Sequence, residues 1–420
     1  MVKTKIFKNG LKLVVDKMDN YESVSFNMFI KVGSVNEQEG YYGICHFIEH
    51  MLFKGTVTRS SLDISKQLDS IGANVNAYTD KEETVYYTKS TAENAEKCVE
   101  ILSDMLFNSV FDKKEMSREK KVVLEEIKMY QDDAPSRAEL LVNQAFYEGN
   151  SYSRDVAGTM QSVKALTKEQ IIDFIHTYYV PQNITLSFAG NIDFETALKF
   201  VEKYYLPYFK NLGEEVKNDI TTKNAVKILK SYKDNAQSQV CISFSGIKRG
   251  DKDLYIAKIF DVAFGLGMSS ILFQRIREKL GLVYNISSST IANCAGGDMT
   301  IRLATTTKNV PLALSAIAEE IDKVKQIGVS KEHFESARNN LLSSIKISFE
   351  NTSFVSLFNA KNMAFDKKII TKQEYLDRVK KVNQKDLLPY LNKTLVANNY
   401  AISYVGDNTR LKLEKYFNIK

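Results

Sequence analysis

Residues 23–32 alternate apolar and polar side chains (Ser-Val-Ser-Phe-Asn-Met-Phe-Ile-Lys-Val), the period of a half-buried β-strand. A turn at Asn9-Gly10 precedes a shorter strand at 11–15. Residues 73–79 and 84–89, split by the polar tip Asp80-Lys81-Glu82, predict a β-hairpin. Elsewhere the period is that of amphipathic helices. Ser61 stands as the N-cap of a helix that carries Ile64, Leu68 and Ile71 on one face and ends at Gly72. Thr91 caps another, with Ala95, Cys98, Val99, Leu102 and Leu106 inward. Asp112 opens a helix running through Val122 to Tyr130, and a helical stretch follows at 140–146. Thr167 caps a helix bearing Ile171, Ile172 and Ile175, and a strand at 184–190 closes this half.

The polar segment 211–225 reads as a linker between a domain at 1–210 and a second at 226–420. The second half repeats the theme: strands at 240–244, 284–291, 299–304 and 400–405, with helices at 254–264 and 270–280 and longer ones after 305. Residues 183–190 (Asn-Ile-Thr-Leu-Ser-Phe-Ala-Gly) read onto 399–406 (Asn-Tyr-Ala-Ile-Ser-Tyr-Val-Gly), and the segment from Val163 reads onto that from Val379 at the same offset of 216 residues, without a gap. The economical interpretation is a duplicated α+β unit: two homologous α/β-sandwich halves, each an antiparallel-rich sheet with packed helices.

Composition narrows the functions. A net charge of +6 spread over 420 residues is not the concentrated basic stripe of a nucleic-acid binder. No apolar run approaches the ~20 residues of a membrane span, and the first ten residues lack the apolar core of a signal peptide. Cys45, Cys98, Cys241 and Cys294 lie far apart with no pairing rhythm, so four buried, reduced thiols and a cytoplasmic protein are expected.

Two of the chain's four histidines fall in His46-Phe-Ile-Glu-His50. On a helix, positions 46, 49 and 50 share one face, with neighbouring Cβ atoms ~5–6 Å apart. Two imidazoles so placed can hold a zinc ion, and the carboxylate between them can reach its water. Histidine pairs at this spacing also arise on helices that bind nothing. The added glutamate makes the run an inverted zinc-peptidase motif, but a catalytic zinc needs a third protein ligand. The helix from Asp112 offers two adjacent candidates. Glu125 shares a face with Arg118, Lys121 and Lys128, a solvated stripe. Glu126 neighbours Val122, Val123, Met129 and Tyr130, where a carboxylate needs a compensating charge. Glu126 is therefore the expected ligand. Glu119, two turns earlier on that face, suits an acceptor for a ligand histidine's second N–H.

The run from Gly43 to Thr56, with Glu119 and Glu126 about 75 residues on, resembles the pitrilysin/insulinase family of zinc peptidases, closest to bacterial relatives of mitochondrial processing peptidase. The resemblance covers essentially the whole chain. It implies one zinc per chain held by His46, His50 and Glu126, with Glu49 activating the zinc-bound water. In the second half, the run 272–284 resembles the family segment that pairs an arginine and a tyrosine on substrate and oxyanion, here Arg277 and Tyr284. The strand 74–78 resembles the family's substrate-binding edge, with Asn76, Ala77 and Tyr78 at the matching places. The resemblance further implies a clamshell enclosing a chamber, a homodimer, and an endopeptidase acting on extended peptides or unfolded segments. The alternative is a processing-peptidase-like or scaffold subunit of a heteromeric complex with little activity alone. Family scaffolds lose the motif, whereas zinc motif, distal glutamate and Arg/Tyr pair all stand in this one chain.

Overall fold

The computed structural model describes residues 2–209, 213–216 and 226–420. Apart from 213–216, the linker expected at 211–225 lies outside the described residues. Strands β1 (Val2–Ile6), β2 (Lys12–Lys17), β3 (Ser23–Ile30), β4 (Asn74–Thr79), β5 (Thr84–Thr91) and β6 (Ile184–Gly190) form a sheet in the order β1-β2-β6-β3-β5-β4. Strands β7 (Lys227–Tyr232), β8 (Ser238–Ser245), β9 (Asn285–Ile291), β10 (Asp298–Thr305) and β11 (Tyr400–Gly406) form a second, in the order β7-β11-β8-β10-β9. Setting β1 aside, the two orders are the same permutation of chain order, the topological counterpart of the duplication. Each sheet is mixed: β2 and β6, and β7 and β11, pair in parallel, and the other neighbours are antiparallel.

The helices of the front half are α1 (Ile44–Leu52), α2 (Ser61–Ser70), α3 (Ala95–Asn108), α4 (Lys113–Asp132), α5 (Ala134–Phe146), α6 (Met160–Ala165), α7 (Lys168–Tyr178) and α8 (Phe194–Tyr204). Those of the back half include α9 (Leu254–Phe264), α10 (Val310–Ile327), α11 (Lys331–Ser348) and α12 (Thr352–Lys361). Their caps follow the sequence with small shifts. Thr167 accepts from the Gln170 N–H, as its position predicts. Ser60, not Ser61, caps α2, because Asp63 reciprocates onto the Ser60 N–H. Thr91 caps a short 3-10 turn ahead of α3. The helix expected at 140–146 starts earlier, where Asp133 caps at Ser136 and Pro135 fits the first turn. Residues Phe273–Lys279 wind as a π-helix.

The chain packs as two compact units, and neither is a contiguous half. One comprises Met1–Ile127, Arg154–Asn218 and Lys346–Lys372; the other comprises Lys128–Ser153, Asp219–Ile345 and Gln373–Lys420. The division at 1–210 and 226–420 therefore misses an exchange of helices, and β3 shows its cause. Val24, Phe26, Met28 and Ile30 face a core shared with α1, α3, α7 and α8, where the Phe26 and Phe188 rings stack at 4.6 Å. The alternate residues Ser25 and Asn27 read as a solvent face, yet they are buried. Helix α12 covers them: Ser25 Oγ meets Thr352 Oγ1 at 2.8 Å, and Asn27 Nδ2 donates to Ser356 Oγ at 2.7 Å. Ser187 Oγ donates to the Ser356 carbonyl at 2.8 Å. Ser25, Asn27 and Ser187 are thus buried with partners because the covering helix answers with its own hydroxyls and a carbonyl; among the described residues, Thr185 Oγ1 on the same face of β6 is buried without one. In the second unit, α5 does the same for β7, β11 and β8. Ser403 Oγ donates to the Ala138 carbonyl at 2.6 Å, and Arg302 binds Glu139 through two bonds of 2.7 Å.

All four cysteines are free; Cys45, Cys98 and Cys241 are buried, whereas Cys294, expected in the core, is only half-buried. No helix among the described residues is long and apolar enough to cross a membrane.

Candidate metal centre

Helix α1 buries Ile44, Cys45, Phe47, Ile48, Met51 and Leu52, which leaves His46, Glu49 and His50 on its less buried face. The helix starts at Gly43, whose φ of +89° favours glycine and whose hypothetical Cβ would stand 2.5 Å from the Ala157 carbonyl oxygen. Glu37 anchors that start. Its carboxylate accepts the Gly43 N–H at 2.9 Å and the Cys45 N–H at 3.0 Å, satisfying donors that the first helical turn leaves open. Burial pushes Glu37 up to about 8, against the pull of those two N–H groups. No sequence pattern marks Glu37, since an acid six residues before a helix start is not a capping signature.

The structure brings His46, His50 and Glu126 together, the one group of its kind among the described residues. His46 Nε2 and His50 Nε2 are 3.3 Å apart, and Glu126 Oε2 lies 3.7 Å from the first and 3.5 Å from the second. Tetrahedral ligands 2.0–2.1 Å from one zinc ion would be separated by about 3.3–3.4 Å. Two imidazole nitrogens and a carboxylate oxygen at nearly that spacing fit zinc in both geometry and donor chemistry. Glu119 Oε1 lies 2.8 Å from His50 Nδ1, which turns Nε2 toward the triangle, and its other oxygen pairs with Lys54 Nζ at 2.8 Å. Burial opposes the charged form of His50, but Glu119 and Glu126 outweigh it and raise its pKa to about 9. Burial, together with the charge on His50, lowers His46 to about 4. Zinc and a proton therefore compete for His50.

Glu126, the carboxylate singled out in the sequence, lies beside the two histidines, but not in the surroundings its neighbours suggested. Of those neighbours Val123 is buried, but Val122, Met129 and Tyr130 are exposed, so no continuous apolar layer surrounds it. Its partial burial comes from facing α1. Glu125 is exposed on the other side of α4.

Glu49 stands beside the triangle without joining it. Its Oε2 accepts a 2.6 Å hydrogen bond from Thr79 Oγ1, at the end of β4. Burial raises the Glu49 carboxyl above its ordinary range, Thr79 and His50 pull it back, and Glu126 adds to the rise. Strand β4 is the outer strand of its sheet. Asn76 is exposed, and its Oδ1 accepts the Ala77 N–H at 2.8 Å. Tyr78 turns its side chain away from the main core: its hydroxyl donates to Glu83 at 2.8 Å and its ring lies 6.5 Å from that of Tyr87. Only its backbone remains for the edge-strand role.

Arg277 and Tyr284 belong to the second unit. The Arg277 guanidinium lies 4.6 Å from the Phe273 ring centroid and 6.0 Å from that of Tyr284, which is 73 % exposed. A π-helix offsets successive side chains differently from an α-helix, and Phe273 and Arg277 are stacked on it.

A helix carrying His46, Glu49 and His50, joined by a distal glutamate on a mixed α/β unit, defines a zinc-protease-like protein. Residues 13–160 match the family model described as "Insulinase (Peptidase family M16)", and residues 165–341 match that described as "Peptidase M16 inactive domain". The uncharacterized zinc protease YmxG of Bacillus subtilis (strain 168) is 32 % identical over 97 % of this chain and 98 % of its own. An uncharacterized zinc protease of Rickettsia bellii (strain RML369-C) is 32 % identical over 96 % of both. Among solved structures, a protease from Helicobacter pylori superposes with a TM-score of 0.91 at 20 % identity, covering 96 % of this chain and 99 % of that one. The chain belongs to the insulinase family, peptidase family M16.

Proposed function

We propose that this chain is a zinc-dependent endopeptidase that hydrolyses extended peptides or unfolded segments. The observation that carries the reading is Glu49, a carboxylate on the same helix as both histidines, tied down through one oxygen and outside the ligand triangle. His46, His50 and Glu126 would hold one zinc per chain. When bound, zinc supplies Lewis acidity, which acidifies water and polarises a carbonyl. Glu49 takes a proton from the attacking water and delivers it to the leaving amine. Glu119 keeps the proton of His50 on Nδ1, so that Nε2 is free to ligate. The outer edge of β4 offers the backbone of Asn76, Ala77 and Tyr78 to a substrate added as a further strand. The family resemblance assigns Arg277 and Tyr284 to substrate and oxyanion, and it supports a homodimer.

The test is the purified chain with a library of quenched peptides, before and after chelation. Internal cleavage that disappears with chelator and returns with stoichiometric zinc is expected. A zinc-loaded chain that cleaves nothing supports the scaffold-subunit reading instead.

A further inference from the structure

Strand β4 ends at Thr79, two residues past Ala77 and on the same side of the strand. That side faces α1: Val75 and Ala77 pack against the core that contains Phe47, Ile48 and Met51. Thr79 pairs with Thr84, and the hairpin turn closes immediately after it through the Asp80 N–H and the Glu83 carbonyl at 2.8 Å. The turn is itself held. Ser34 N–H donates to the Asp80 carbonyl at 3.1 Å, and Val35 N–H to the Lys81 carbonyl at 2.9 Å. Three residues beyond Ser34 is Glu37, whose carboxylate grips the start of α1. The chain therefore makes a closed mechanical ring: α1, Glu37, residues 34–35, the hairpin turn, Thr79, and back to α1 through Glu49. A hydroxyl on so constrained a mount has little freedom to follow a wandering carboxylate.

We propose that Thr79 is a positioning residue for Glu49: its hydroxyl holds Oε2 so that Oε1 is presented to the attacking water. The inference rests on the peptidase reading above and adds to it the group that aims the base. Among the described residues, the one hydrogen bond of the Glu49 side chain is that at Oε2. The second unit provides the contrast. There Asp261 on α9 grips Thr290 on the edge strand β9, with Oδ1 on the hydroxyl at 2.8 Å and Oδ2 on the N–H at 2.9 Å. Both oxygens are used and Asp261 is 2 % exposed, so that clasp only fastens helix to strand. In the first unit one oxygen is fastened and the other is spared. The edge strand that receives the peptide and the carboxylate that acts on it are thereby joined by one side chain.

The test is steady-state kinetics of the zinc-loaded full chain on one library-selected peptide, comparing wild type, Thr79→Val, Thr79→Ser and Glu49→Gln. Valine keeps the shape and removes the donor; serine keeps the donor. Losing a hydrogen bond to a charged group predicts a kcat about 10- to 100-fold lower in Thr79→Val, with KM within about 2-fold. Zinc content and melting temperature stay at wild-type values, and Thr79→Ser recovers to within about 3-fold. A Thr79→Val kcat equal to wild type, an equal loss in Thr79→Ser, or a loss that follows zinc content or unfolding overturns the proposal and leaves the peptidase reading standing. A zinc-loaded wild type without cleavage overturns that reading, and this proposal with it.

Discussion

Replacing Glu49 with glutamine is expected to lower kcat by about 10²- to 10⁴-fold, the range a well-placed general base supplies. Zinc content should not change. Glutamine matches the carboxylate in size, and its amide oxygen still accepts from Thr79, whose bond to Oε2 is 2.6 Å in the native chain. What is lost is the ability to take a proton from water. The ligand triangle is untouched because none of its three atoms belongs to Glu49. Metal analysis beside the kinetics separates the two roles. Wild-type turnover in Glu49→Gln would assign the base elsewhere, and loss of zinc in that variant would make Glu49 a ligand.

The second large effect is expected from Glu126→Gln, with Glu125→Gln as its neighbour control. Glu126 Oε2 sits 3.5 Å and 3.7 Å from the two histidine nitrogens, and it alone brings negative charge to the triangle. Without that charge, two imidazoles face a dication with a neutral amide as third donor. Zinc affinity should fall by more than the ~10- to 100-fold that loss of an outer-sphere partner costs. Glu125 is exposed on another face of α4 and should keep its zinc. Titration against a competing chelator reads both values. Zinc loss confined to Glu125→Gln would reverse the ligand assignment.

Much of this centre was legible because it depends on helical period. Residues 46, 49 and 50 fall on one face at any twist near 3.6 per turn, and the same geometry separates Glu126 from Glu125. The supposed apolar surroundings of Glu126 were misleading, since Val122 and Met129 are exposed at 50 % and 57 %. Period says which residues share a face, not what that face meets. The helix exchange was illegible for the same reason. Ser25 and Asn27 read as the polar face of a half-buried strand, and no local signal marks the hydroxyls of α12, more than 300 residues on, as their cover. The π-winding at Phe273–Lys279 left no sequence period of its own. Thr79 and Glu37 escaped because each acts on α1 from outside it. Their importance comes from a closed ring of hydrogen bonds, and a linear pattern does not display a ring.

The most direct measurement is zinc K-edge X-ray absorption on the purified chain, paired with metal stoichiometry. One zinc per chain is predicted, bound only by nitrogen and oxygen at about 2.0–2.2 Å, with the scattering of two imidazoles. A sulfur shell near 2.3 Å, or a chain that takes up no zinc while His46, His50 and Glu126 are intact, would contradict it.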